Sequence, residues 1–215
     1  FADVVKARRT KSFGVKQPLL AMPYNEKRRI AYHEAGHAFM AMGRRPEIIV
    51  EYATIIRRSN ALGLVAYGYA DEHHTITKKE LLAEIDVCLA SRAVEIELLD
   101  EEMSGFSGDL GHATSVAAHM ISMYGMDDEL VSIAALGAAA VPAAKVNRIN
   151  QKRMAICRAL VAKHRDLVVE IAETLLLKEE MDGDELKAIF LKFLPSGVLD
   201  CDAVAAEAKV IESAY

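Results

Sequence analysis

Cysteine is scarce in this sequence, and the scarcity excludes a disulfide-built fold. Cys88, Cys157 and Cys201 are odd in number and far apart, a pattern of core or surface thiols in a reducing compartment rather than of paired bridges. Nor is there an excess of positive charge. Against 26 Lys and Arg stand 31 Asp and Glu, a formal net charge of −5. Proteins that live on nucleic-acid phosphates are usually basic, so no nucleic-acid partner is expected. Long apolar runs are missing too. The most apolar stretch, Leu130 to Ala144, is short, rich in Ala and broken by Gly137 and Pro142, whereas a membrane span takes about 20 strongly apolar residues. There is no signal-peptide pattern, no G-x-x-x-x-G-K-[ST] loop to cradle ATP, no internal repeat and no low-complexity tract. The first residue is Phe, which reads as a chain processed or excised from something longer.

What is present is ordinary globular material. With 215 residues, 52% hydrophobic and 27% charged, the chain is long enough for one domain with small appendages and too apolar for disorder. Residues 1–24 mix basic side chains with Gly14, Pro18 and Pro23 and read as a lead-in, with a short helix over Ala2–Arg9. Residues 25–200 form the domain and 201–215 a tail. Within the domain, Asn25 is expected to N-cap a helix that runs to Gly43. Ile48–Ile56 and Leu64–Tyr69 read as strands of an antiparallel hairpin beside that helix, joined by a turn over Arg57–Gly63. The rest is helical. Thr77 with Glu80 forms a capping box for a helix to about Leu99; further helices are expected over Asp109–Tyr124, Ala143–Lys163 and Asp166–Lys178, and a last one, capped by Asp182, toward Phe193. The fold class is therefore mainly α with a small β-hairpin or sheet.

The stretch that carries chemistry is His33-Glu34-Ala35-Gly36-His37, an H-E-x-x-H pattern inside the first helix. Residues four apart share a helical face, with Cβ atoms about 5–6 Å apart, so both imidazoles reach one ion at bonds of about 2.0–2.1 Å. Glu34 projects beside that ion, where a carboxylate takes a proton from water the metal activates. Gly36 costs a helix about 1 kcal/mol relative to Ala; close approach of another backbone, a loop or a substrate strand, would account for it. The bland alternative is an amphipathic helix with two solvated histidines. A catalytic zinc site needs a third protein ligand. Asp109, behind a Gly-containing loop at a helix start, is the best placed, although an Asp there equally suits an N-cap. His73 and His74 read as a solvated turn. His112 and His119 either line a pocket rim or simply cover surface.

Arg28 to Ala38 resembles the zinc motif of the FtsH-type ATP-dependent zinc metalloproteases, and the similarity continues in order along the chain. Ile55-Ile56-Arg57 with Ala61-Leu62-Gly63 resembles that family's hairpin. Ser91-Arg92-Ala93-Val94-Glu95 is similar to its Gly-Gly-Arg-Ala-Ala-Glu signature, and Ser104 to Leu110, then Ala113-Thr114, to its Thr-Gly-Ala-Ser-Asn-Asp-Leu-x-x-Ala-Thr. Leu176 to Gly183 resembles a late family segment. The resemblance implies that His33, His37 and Asp109 bind Zn2+, that Glu34 is the catalytic base, and that Glu95 orients a ligand histidine, unless it merely pairs with Arg92. It implies hydrolysis of internal peptide bonds in unfolded protein substrates, an ATPase module in cis or trans, a homohexameric ring and a position on the cytoplasmic side. Apolar positions Leu167, Val168, Ile171, Leu175 and Leu176 would serve either such a ring or a simple core. The family's ATPase and membrane anchor are not in this stretch; Phe1–Gly14 faintly resembles the end of the ATPase lid, which makes the chain an excised peptidase domain or a stand-alone relative. Gly108 stands where the family has Asn, Ser91 where it has Gly, Phe106 where it has a small residue, and the Ala-rich 127–147 matches poorly. A catalytically silent zinc-containing scaffold of the same fold is the alternative, and zinc-dependent hydrolysis of something other than protein a third reading.

Overall fold

In the computed structural model, residues 10–11, 15, 22–57, 62–137 and 141–201 are described. The expected helix over Ala2–Arg9, the tip of the hairpin turn and the tail beyond Cys201 lie outside them. Among the described residues there are six α-helices and a small three-stranded sheet. In chain order they are α1 (Tyr24–Arg44), β1 (Ile48–Thr54), β2 (Leu64–Tyr69), α2 (Lys78–Val94), α3 (Ser107–Ser122), α4 (Ala143–Lys163), α5 (Arg165–Lys178), β3 (Glu180–Asp182) and α6 (Gly183–Phe193).

α1 is the centre of the molecule. Its interior from Ile30 to Gly43 is buried almost all round, which a run of Ala, Gly, Phe and Met allows because small side chains let neighbours close on several faces. The N-cap is Pro23, without a side-chain cap, and Asn25 lies inside the first turn. The fixed φ of proline suits a helix start, and the expected Asn cap is not used. α1 packs against α2 and α5 and against β1. Gly36 explains how close α2 comes: a Cβ there would stand 2.8 Å from the Ala90 carbonyl oxygen and 3.0 Å from Ser91 Cα. The backbone that Gly36 admits is a helix, neither a loop nor a substrate strand.

The capping box that opens α2 is formed, with Thr77 N–H donating to Glu80 Oε2 at 2.6 Å and Glu80 N–H to Thr77 Oγ1 at 3.2 Å. The helix does not simply run on to Leu99. It passes into a π-turn over Glu95–Leu99, ended by Asp100 in the left-handed region at φ 55°; such turns re-aim side chains and often sit at functional sites. Deeper in the core, Asp86 of α2 is fully buried and takes a two-pronged bond from Arg153 of α4, at 2.6 and 2.5 Å, and one from Arg44 of α1 at 3.2 Å. This pins three helices together. The sheet has the order β2-β1-β3, all antiparallel, with a bulge between Val50 and Tyr52, so β2 is an edge strand. β3 is too short for any sequence periodicity to mark it. On α5, Leu167, Val168, Ile171 and Leu175 are buried in the core and Leu176 packs against it, so intramolecular packing accounts for that apolar face.

Candidate metal centre

The two motif histidines sit one turn apart on α1, with Nε2 atoms 3.2 Å from each other. Asp109 comes from the first turn of α3, whose N-cap is Phe106 with no side-chain cap. The Asp109 carboxylate is therefore not occupied in capping. Its Oδ2 lies 3.2 Å from His33 Nε2 and 3.4 Å from His37 Nε2. Bonds of about 2.0–2.1 Å at tetrahedral angles place ligand atoms about 3.3–3.4 Å apart, so the three donors already stand at the corners of one face of a zinc tetrahedron. Among the described residues they are also the group that converges closely enough to hold an ion.

Hydrogen bonding on the far sides of the rings argues the same way. His37 Nδ1–H donates to the Val87 carbonyl at 2.8 Å, and because a carbonyl only accepts, a neutral His37 must present a bare lone pair at Nε2. His33 Nδ1–H donates to Glu95 Oε1, also at 2.8 Å. Two lone pairs and a carboxylate oxygen facing one another repel unless something positive lies between them. The titration behaviour reflects this demand. Burial works against a charged His33, yet hydrogen bonds to Asp109 and Glu95 outweigh it and push the imidazole up to about 10. Burial likewise opposes ionisation of Asp109, and the two histidines overcome it and hold the carboxyl well below its usual range. Two imidazoles and one carboxylate are a donor set that suits zinc.

Glu95 has no exposed surface. Its Oε1 holds His33, its Oε2 accepts the backbone N–H of Met103 at 3.1 Å, and Arg92 Nη1 lies 3.3 Å away. Glu95 thus contacts both the His33 ring and Arg92. Arg92 also bonds the Met103 carbonyl at 2.9 Å and stacks over Phe106. Together they fasten the loop Glu101–Phe106 to the metal centre. Such outer contacts fix ligand orientation and basicity.

Glu34 stands beside the three donors, 6% exposed. Burial pushes its carboxyl up against the opposing pull of His37 and His33. Gly63, just before β2, makes room for it: a Cβ there would come within 2.7 Å of Glu34 Cγ and closer still to Oε1. A cleft of about 810 Å³ opens over these groups, walled by Leu62–Val65 and Tyr67 on one side and by Glu101–Gly105, Asp109 and His112 on others. Cys88 also lines it, but burial pushes its thiol up to about 12, which excludes a thiolate nucleophile at neutral pH.

His33, Glu34, His37, Asp109 and Glu95 are thus brought together. His73 and His74 are elsewhere: His73 stacks on Tyr69, and His74 is exposed. His112 lines the cleft, whereas His119 is exposed on α3. Reasoning from residue types missed the Val87 carbonyl and the Met103 amide, since backbone groups leave no mark in a sequence. It also missed Ser91, whose buried Oγ lies 3.5 Å from Asp109 Oδ2, and Gly63, for which a glycine close behind a hairpin turn was the one available signal.

Comparison with known proteins gives the geometry a lineage. The sequence profile of Peptidase family M41 matches residues 20–143. The ATP-dependent zinc metalloprotease YME1L of Drosophila melanogaster is 37% identical over 74% of this chain and 24% of its own length. The ATP-dependent zinc metalloprotease FtsH 1 of Sorangium cellulosum is 30% identical over 87% of the chain and 34% of its own length, and FTSH 11 of Arabidopsis thaliana 29% over 83% and 23%. The chain thus spans about a quarter to a third of these relatives, and zinc is the metal their family uses. With more than half of its residues matching the profile, and relatives of this identity over most of its length, the chain belongs to peptidase family M41, the FtsH-type zinc metalloproteases.

Proposed function

We propose that this domain is a zinc-dependent endopeptidase that hydrolyses internal peptide bonds of unfolded polypeptides, with His33, His37 and Asp109 holding the ion and Glu34 acting as general base. The observation that carries the reading is the spacing of the three donor atoms, 3.2, 3.2 and 3.4 Å, with a buried carboxylate beside them. Bound there, zinc supplies Lewis acidity toward the scissile carbonyl and toward water.

The protein's own groups do the rest. Glu34, desolvated and with a carboxyl raised by burial, takes a proton from the attacking water. It then returns one to the departing amine, a contribution of typically about 10²–10⁴-fold. Glu95 and the Val87 carbonyl keep both imidazoles turned so that Nε2 faces inward. β2 is the edge strand of the sheet among the described residues and lines the cleft. An extended chain adds to such an edge as a further strand, which suits an unfolded substrate and not a folded one. An ATPase module, in cis or trans, would deliver that substrate, and a homohexameric ring would enclose it.

The test is Glu34→Gln. The variant should bind zinc as the wild type does while its cleavage of casein falls at least a hundredfold, and zinc removal by a chelator should stop the wild type reversibly. Wild-type cleavage rates in the variant remove Glu34 from the chemistry. A silent scaffold would leave both proteins inert with zinc in place.

A further inference from the structure

His112 takes no part in the centre described above, yet it belongs to the same cleft. It lies one turn beyond Asp109 on α3, which puts it on the same side of the helix, and its ring lines the wall shared with His33, Glu34 and His37. Its Nε2 meets Glu84 Oε1 of α2 at 2.7 Å, a short, charge-assisted contact. His112 is 57% exposed and Glu84 20%. The His112 end of this pair is open to water, so the pair contributes little to stability. What the pair does achieve is orientation. With Nε2–H given to a carboxylate, the neutral ring is fixed in one tautomer and one rotamer, and Nδ1 becomes an acceptor. Among the described residues no hydrogen bond to Nδ1 occurs. An acceptor on a residue that lines the cleft finds its complement in the N–H of an extended peptide, which repeats along the chain whatever the side chains.

We propose that His112, held by Glu84, is a substrate-binding residue, its Nδ1 accepting a hydrogen bond from a backbone N–H of the polypeptide in the cleft. The proposal rests on reading this cleft as a peptide-binding site. Glu84 acts through His112 and is a positioning residue.

The experiment measures binding without turnover. Fluorescein-labelled β-casein is titrated with the zinc-loaded Glu34→Gln chain and followed by anisotropy. Adding His112→Leu should weaken binding about 5–10-fold, the usual worth of one neutral hydrogen bond. His112→Asn, whose Oδ1 occupies about the place of Nδ1, should stay within about twofold of the parent. Glu84→Gln should fall between, and zinc content should be equal in all four proteins. Binding by His112→Leu within twofold of the parent overturns the proposal. So does equal weakening by Asn and Leu, a loss of zinc that accompanies the weakening, or a parent that binds no casein. Cleavage by the wild-type chain is read separately: binding with the full variant pattern but no cleavage defeats the peptidase reading and leaves the His112 contact standing.

Discussion

Replacing Gly36 by Ala tests the architecture of the metal centre without touching a single ligand. In an exposed helix this change would stabilise by about 1 kcal/mol. Here the new Cβ would stand 2.8 Å from the Ala90 carbonyl oxygen and 3.0 Å from both the Ala90 carbonyl carbon and Ser91 Cα. All three atoms are backbone and cannot turn aside. Non-bonded carbons settle at about 3.5–4.0 Å, so α1 and α2 must separate by about 0.5–1 Å. Overpacking of this kind costs about 1–3 kcal/mol; set against the helix gain, the net loss is about 0–2 kcal/mol. The larger effect is at the metal. The groups that hold both imidazoles, Glu95 and the Val87 carbonyl, follow from α2, each at 2.8 Å. Parting the helices stretches those bonds to about 3.3–3.8 Å, at or beyond the limit of useful hydrogen-bond geometry. Zinc affinity should drop about 10–100-fold, as it does when such outer partners are lost. Competition against a chromophoric chelator gives the affinity, and urea denaturation of the metal-free protein gives the stability. A variant about 1 kcal/mol more stable than wild type that holds zinc equally well would refute the close-packing argument.

Ser91→Ala removes the neutral donor nearest to Asp109 Oδ2, and zinc affinity should fall about 2–5-fold with thermal stability nearly unchanged; an unaltered chelator titration shows that the hydroxyl serves only its own helix, through the Cys88 carbonyl at 3.3 Å. Asp86→Ala leaves Arg153 and Arg44 without their buried partner and should cost about 3–5 kcal/mol in urea denaturation, while an unaltered midpoint would show that solvent reaches the two guanidinium groups. His164, packed near Phe39, titrates below its ordinary 6.5 because of burial and the neighbouring Lys163 charge. The unfolded chain therefore takes up this proton first as pH falls, so the stability is complete above about 6.5 and is lost progressively below it. The fall in melting temperature between pH 7.5 and 5.5 should be smaller in His164→Gln, and parallel curves would remove His164 from the acid response.

Much of this arrangement is legible in the sequence because it is written in local spacing. The H-E-x-x-H repeat, the Thr77–Glu80 box and the Asp182 cap each depend on residues three or four apart, and all three form. The helices α4 and α5 and strand β2 fall within a residue of their expected bounds for the same reason. The reading ran short where two local signals compete, where α and π turns share their residues, and where a neighbour remote in the chain decides. Asn25 looks like a cap until Pro23 takes the position. The end of α2 looks like continuous helix because π and α turns share their residue preferences. β3 exists only because Met181 and its neighbours are set against β1. Asp109 is the instructive case: spacing left it between N-cap and ligand, and family resemblance favoured the ligand. What separates the two physically is the three-residue 3-10 turn Ser104–Phe106, which starts the helix earlier and leaves the carboxylate free.

Glu95 spends one oxygen on the His33 ring and the other on the rim of the cleft. The rim of the cleft at Met103 and the imidazole of His33 are therefore coupled through one side chain. On the function proposed above, a compound that wedges under Met103 should pull His33 out of line and weaken zinc binding without touching the metal. Inhibitor screens on this domain have reason to record metal release alongside lost turnover.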